Sequence, residues 1–286
     1  MKLQFMWIHI LVGTVVLAAG FAFAGVALAQ GTNPNKVPDL EQQADQNQQL
    51  KQRQLDQTPT PAAPKVDPQE EAAYKAFYDA SPQDADTRIK LGQDFLDKYP
   101  KSRYAESVDA GLTHAYFLKQ DWKSFYASAD GALSLNPDDA AILTMVGWVI
   151  PHGLDPNDPD ASKNLDKAEQ YEKHAIEVVG TMQKPANMTD DQFAQNKTAL
   201  LTQAHSGLGL VYFRRQRSDD SAKELQQATQ GSANPDPTDL FVLGLDLQSL
   251  SRYAEAADAF ARCGQIPSGL QDRCKQSADS ARKQAR

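Results

Sequence analysis

Leucines at 112, 208 and 243 each open a stretch in which the same residue types recur at the same offsets. Leu208 and Leu243 are followed by glycine, and Val146-Gly147 provides a fourth instance. A small residue falls 20 positions after each leucine: Ala132, Ala228 and Cys263. Val146 lies 34 residues after Leu112, and Leu243 lies 35 after Leu208. A unit of that size cannot bury its own apolar face, so it must stack on its neighbours. The period therefore points away from a pocket enzyme and towards a surface that meets other macromolecules.

Local composition agrees. Ala, Gln, Leu, Asp and Lys dominate the 286 residues, and long alternations of β-branched and aromatic residues are missing, so helices are expected and strands are not. The net charge of −8 and a pI near 5.1 disfavour a nucleic-acid binder, which needs a basic face. The densest basic run, Arg214-Arg215-Gln216-Arg217, sits where a helix should end, a position that favours cations. His-Glu-x-x-His, glycine-rich phosphate loops and Gly-x-Ser-x-Gly are absent from the sequence. His9, His114, His152, His174 and His205 lack ligand spacing. The acidic loop Asp155-Pro156-Asn157-Asp158-Pro159-Asp160 lacks the glycine and distal glutamate of a calcium loop. No catalytic residue, cofactor or metal is expected.

The first 29 residues differ from the rest. From Phe5 to Ala29 there is no charged residue, and Ala27-Leu28-Ala29 offers a small-x-small cleavage pattern before Gln30. This predicts a signal peptide over 1–29 whose removal takes the net charge from −8 to −9. The apolar run is long enough to persist as a membrane anchor instead. Residues 30–66, rich in Gln and Pro, read as a disordered linker. An exported chain meets an oxidising compartment, so Cys263 and Cys274, flanking a Gly-Gln-Ile-Pro-Ser-Gly turn, are expected to form a disulfide.

From Asp67 onward a start device recurs: a capping residue, proline, then an acid. It appears at Asp67-Pro68-Gln69-Glu70, Ser81-Pro82-Gln83-Asp84, Asn136-Pro137-Asp138-Asp139 and Asp236-Pro237-Thr238-Asp239. Thr189-Asp190-Asp191-Gln192 matches a capping box. Eleven helices are predicted, at 68–79, 84–99, 103–119, 121–135, 138–150, 162–179, 189–216, 218–230, 237–250, 252–264 and 268–284. Pro151 is expected to end the fifth. The last is polar around most of its circumference, as suits a cap.

Residues 237–263 resemble one tetratricopeptide repeat (TPR). Leu243-Gly244 supplies the leucine-glycine pair, Tyr253 opens the second helix, and Ala256, Phe260 and Cys263 take its small, aromatic and small packing sites. Residues 106–137 resemble a second copy through Leu112, Tyr116, Trp122, Ala132 and Asn136-Pro137, with Phe125 and Ala129 exchanged in size. Residues 202–228 match at Leu208, Gly209, Tyr212, Leu225 and Ala228. Val146-Gly147, Ala168 and Ala175 form an interrupted copy, and 68–100 a weak one. The phrase Phe95-Leu96-Asp97-Lys98-Tyr99-Pro100-Lys101-Ser102 is also similar to exported bacterial repeat proteins of envelope assembly and of the Tol–Pal system.

The resemblance implies an all-α fold: an α–α superhelix, a TPR-like solenoid of antiparallel helix hairpins over 67–286, with a capping helix at 268–284. It implies a non-enzymatic protein-interaction scaffold in the periplasm or cell envelope of a bacterium. Its partners would be proteins, not nucleic acid, with membrane contact only through a retained leader. The alternative is an accessory or carrier subunit of cell-wall or polysaccharide machinery. In this family the first helix of each hairpin lines a concave groove, which here would present His114, Phe117, Thr144, Trp148, Leu210, Phe213, Arg214, Phe241 and Gln248. Such a lining suits an extended or helical segment with apolar anchors. Alternatively, helix 189–216 or the loop 180–188 fills the groove from within.

Overall fold

A computed structural model describes residues 67–230, 232 and 234–286. The expected leader over 1–29 and linker over 30–66 lie outside the described residues. Residues 73–286 belong to one compact unit, whereas 67–72 cluster with a second unit and are described only as the start of the first helix.

Among the described residues the fold is all-α. The helices are α1 (Pro68–Asp79), α2 (Ala85–Lys98), α3 (Ala105–Lys119), α4 (Trp122–Leu135), α5 (Ala140–Gly153), α6 (Ala161–Thr181), α7 (Asp190–Arg214), α8 (Ser218–Thr229), α9 (Pro237–Ser249), α10 (Tyr253–Cys263) and α11 (Gln271–Gln284). From α2 onward each helix packs on the next along the chain, and α7 also packs on α5 and α9. Adjacent pairing combined with contact between the leading helices of successive hairpins is the arrangement of an α–α superhelix.

The caps show how the helices start. Asp236 accepts from Thr238 N at 2.7 Å, with Pro237 at the first helical position of α9. Thr189 and Gln192 close the expected capping box of α7. At two other starts the proline device makes a turn just before the helix, and the acid three places on is the cap. Ser81 Oγ accepts from Gln83 N, but Asp84 accepts from Thr87 N and begins α2. Asn136 Oδ1 accepts from Asp138 N, but Asp139 accepts from Ala141 N and Ile142 N and begins α5. A carboxylate at the dipole's positive end is the stronger acceptor, so it takes the cap.

The hairpin turns carry the period in the backbone. Gln120, Gln216 and Ser251 hold positive φ values of 56°, 58° and 60°, and each lies 8 residues after its leucine at 112, 208 or 243. In each turn the next residue's N–H reaches a carbonyl five positions back: Asp121 to Tyr116, Arg217 to Tyr212, Arg252 to Leu247. This is a left-handed helix stop of the Schellman type. The fourth stretch departs from it. There α5 runs through Pro151 to Gly153, where the sequence predicts an end near 150, and residues 154–160 lead to α6. Side-chain hydrogen bonds flank the break that proline makes in the backbone ladder. Arg214 Nε donates to the Pro151 carbonyl at 3.0 Å, and His152 Nδ1 donates to the Trp148 carbonyl at 2.7 Å.

Apolar burial is divided between two large cores and two small clusters, one around Val179 and Leu200 and one around Ala175 and Ala204, and α7 contributes to all four. Leu208, Val211 and Tyr212 join a core that runs back to Phe77, while Leu210 joins one that runs forward to Ala281. In the second core, Gly244 of α9 admits the fully buried Phe260 of α10. A Cβ at 244 would lie 2.5 Å from the Phe260 ring. The leucine-glycine pair is thus a docking seat for the aromatic of the following helix. Cys263 and Cys274 are joined in a disulfide between α10 and α11, with Cα atoms 5.7 Å apart.

Two outcomes test this architecture. A left-handed conformation costs a side-chain-bearing residue about 1 kcal/mol, so Ser251→Gly is expected to raise stability in urea unfolding by up to that amount, and loss of stability would contradict the turn. Intact-mass analysis without reductant is expected to find Cys263 and Cys274 joined; replacing both by alanine is expected to lower stability by about 3 kcal/mol, the entropy of closing so short a loop.

Candidate partner-binding face

The aromatic side chains of α3, α4 and α5 converge. Phe117, in the last turn of α3, has its ring 6.1 Å from Trp122 at the start of α4 and 6.4 Å from Trp148 of α5, edge-on in both cases. Trp148 continues the run, its ring 3.7 Å from that of His152 and tilted by 36°, one turn further along α5. Trp122 is 44% exposed, so the run emerges at the surface, while Phe117, Trp148 and His152 are half-buried.

A hydrogen-bonded chain fixes Trp148 across three helices. Its indole Nε1–H donates to Ser206 Oγ of α7 at 3.2 Å, and Ser206 Oγ–H donates to Asp239 Oδ1 of α9 at 2.8 Å. Asp239 is 2% exposed. Burial pushes its carboxyl well above the usual range, the Asp236 charge adds to this, and the Ser206 hydrogen bond opposes it. His152 is held below the usual imidazole value, chiefly by burial and also by the Arg214 charge, against the pull of the Trp148 carbonyl and Asp236. Arg214 is exposed and anchored through Nε to the Pro151 carbonyl, next to His152 at the end of the aromatic run.

The residues expected to line a groove divide into two sets. Phe117, Trp148 and Arg214 are brought together by the contacts above. Phe213, half-buried, packs on the second core further along α7. His114, half-buried on α3, is held below the usual imidazole value by burial and by the nearby Arg88 charge. Gln248 is half-buried near the end of α9. The other three residues face helices. Thr144 is 0% exposed and covered by α7, with its hydroxyl 3.5 Å from Gln203 Oε1. Leu210 is buried in the second core. Phe241 packs 5.5 Å from Phe260, with the Arg273 guanidinium of α11 over its ring. The α7 helix thus runs along both ends of α5: it seals Thr144 and leaves Trp148 half-buried against Ser206.

Three residues that the repeat pattern does not single out prove central: Ser206, Asp239 and Glu172. Glu172 of α6 is 0% exposed, and neither carboxyl oxygen has a hydrogen-bond partner. Its signal in the sequence is its spacing. Leu165, Ala168, Glu172, Ala175 and Val179 form the buried stripe of α6, so a helical reading puts the glutamate on the core face.

Removing the Ser206 hydroxyl leaves both the Trp148 N–H and the buried Asp239 oxygen without a partner. Ser206→Ala is therefore expected to cost about 1–3 kcal/mol in urea unfolding, more than Trp148→Phe, which leaves the Ser206–Asp239 bond in place. Equal stability of Ser206→Ala and the parent would contradict the hydrogen-bonded chain.

No family model and no curated protein matches this chain. Among solved structures it is similar to a thermophilic TPR protein of Thermus thermophilus, at 16% identity and a TM-score of 0.46, over 75% of this chain and 99% of that one. A likeness of that strength adds nothing to the helical arrangement already described, and the functional reading rests on this chain's own residues.

Proposed function

We propose that this chain is a non-enzymatic protein-binding scaffold of the bacterial cell envelope, one that holds a segment of a partner protein through apolar and aromatic anchors. The observation that carries the reading is the aromatic run from Trp122 through Phe117 and Trp148 to His152, half-buried yet open at one end, beside the anchored Arg214. Large rings held rigidly in place bury much area at little entropic cost, which is why aromatic residues dominate interaction hot spots. The repeat resemblance supports the same class of function. The leader-like segment and the disulfide support an exported location.

The test is co-purification of the tagged full-length chain from native envelope extract, with partners identified by mass spectrometry. A specific protein partner is expected, and Trp148→Ala or Trp122→Ala is expected to weaken its capture at least tenfold, about 1.4 kcal/mol, while circular dichroism stays that of the parent. Capture unchanged by both substitutions would overturn the assignment of this face.

A further inference from the structure

Gly147 and Trp148 are consecutive on α5, and Ser206 and Gly207 are consecutive on α7. Trp148 and Ser206 meet in the hydrogen bond that positions the aromatic face. The two glycines meet Glu172. A Cβ on Gly147 would fall 2.5 Å from the Glu172 carboxyl carbon, and one on Gly207 would overlap Oε1. The carboxyl of Glu172 therefore fills the space that two missing side chains leave, directly behind the helix contact that sets the face.

No opposite charge faces it from any packed helix. On α5 the only ionisable side chain is His152, whose charged neighbours are Asp236 and Arg214. On α7, Lys197 lies over the Phe193 ring and His205 pairs with Glu224 of α8 at 2.7 Å; just past its end, Arg215 pairs with Asp166 and Glu169. On α6 itself, Lys173 binds Glu169, Lys167 binds Asp130 of α4, and His174 binds Asp138. A buried carboxylate without a partner is costly, whereas a neutral carboxylic acid in the same place is tolerated.

We propose that Glu172 makes the α5–α6–α7 junction a pH-sensitive joint: as a neutral acid it packs between Gly147 and Gly207, and on losing its proton it forces α6 off the pair and loosens the Trp148–Ser206 bond. The proposal rests on the partner-binding reading only for what the joint regulates. Burial alone raises the Glu172 carboxyl well above its ordinary value, which fixes the direction of the effect. The folded state keeps a proton that the unfolded chain releases, so this group's contribution to stability is full below the ordinary glutamate range. It is then lost as pH rises towards the folded-state value.

The experiment needs no partner, so its failure is separable from failure of partner capture. In urea unfolding of the full chain from about pH 5 to about pH 8, the unfolding constant of the parent is expected to climb up to tenfold per pH unit more steeply than that of E172Q. At higher pH, where the folded acid itself loses its proton, Trp148 emission read in a W7F/W122F background is expected to shift to longer wavelength and to hold steady once E172Q is added. Parallel profiles would overturn the proposal. Infrared spectroscopy of the folded parent near neutral pD supplies a readout that survives a misfolded variant. The C=O stretch of a protonated carboxylic acid is expected, reduced in E172Q and in E172M if either folds. A spectrum of the parent showing only ionised carboxylates would also overturn it.

Discussion

The approach of α7 to the helices around it is the constraint on which the other features rest. One face of α7 enters the core that runs back to Phe77, and the opposite face enters the core that runs forward to Ala281. Where it enters both cores the helix can have no polar side, which explains the run Ser206-Gly207-Leu208-Gly209-Leu210-Val211-Tyr212, buried throughout. Its small residues bring neighbouring backbones close, and its leucines and valine fill the two interiors. Side chains from both directions then lock into it: Glu172 over Gly207, Asp239 on Ser206, and Ser221, whose Oγ–H donates to the Gly209 carbonyl at 2.8 Å.

Polar groups in these contacts act differently from apolar ones. Packing of leucine and alanine tolerates small shifts, whereas a buried hydroxyl or carboxyl needs a partner at a set distance and loses a great deal without it. The line from Trp148 to Asp239 thus gives the face a defined geometry as well as adhesion. At the α6 contact the logic is reversed. Glu172 has no partner at all, and shape alone holds it.

Much of this is legible in the sequence, and the parts that are not have physical reasons. The period of leucines predicts the helix hairpins, because the left-handed turns, the glycine seats and the buried small residues all keep step with it. Cap chemistry reads one turn early at Asp84 and Asp139, since proline after a polar residue favours a turn as strongly as a helix start. Pro151 reads as a stop, yet α5 continues through it to Gly153, with Arg214 of α7 bonded to the Pro151 carbonyl. For the face, the repeat geometry names which helix positions point inward, but it cannot say how closely the next hairpin approaches. Phe117, Trp148 and Arg214 stay near the surface, while Thr144 is sealed by α7 and Phe241 by α10 and α11. Glu172 is visible at a core position of α6, but a glutamate there reads as solvated until both facing glycines are known.

The terminal helix shows what the covalent link accomplishes. Only Cys274, Ala278 and Ala281 of α11 are buried, so little greasy surface secures it. Behind it stand Phe241 and Phe260, an edge that would otherwise invite another helix. With the sulfurs joined, the stack is sealed at that end. Without that link α11 would be held by its small buried residues, by the Arg273 guanidinium over the Phe241 ring and by the Gln271 side chain, which donates to the Gly264 carbonyl. The hold on α11 is thus set by the redox state of its surroundings as much as by its amino acids.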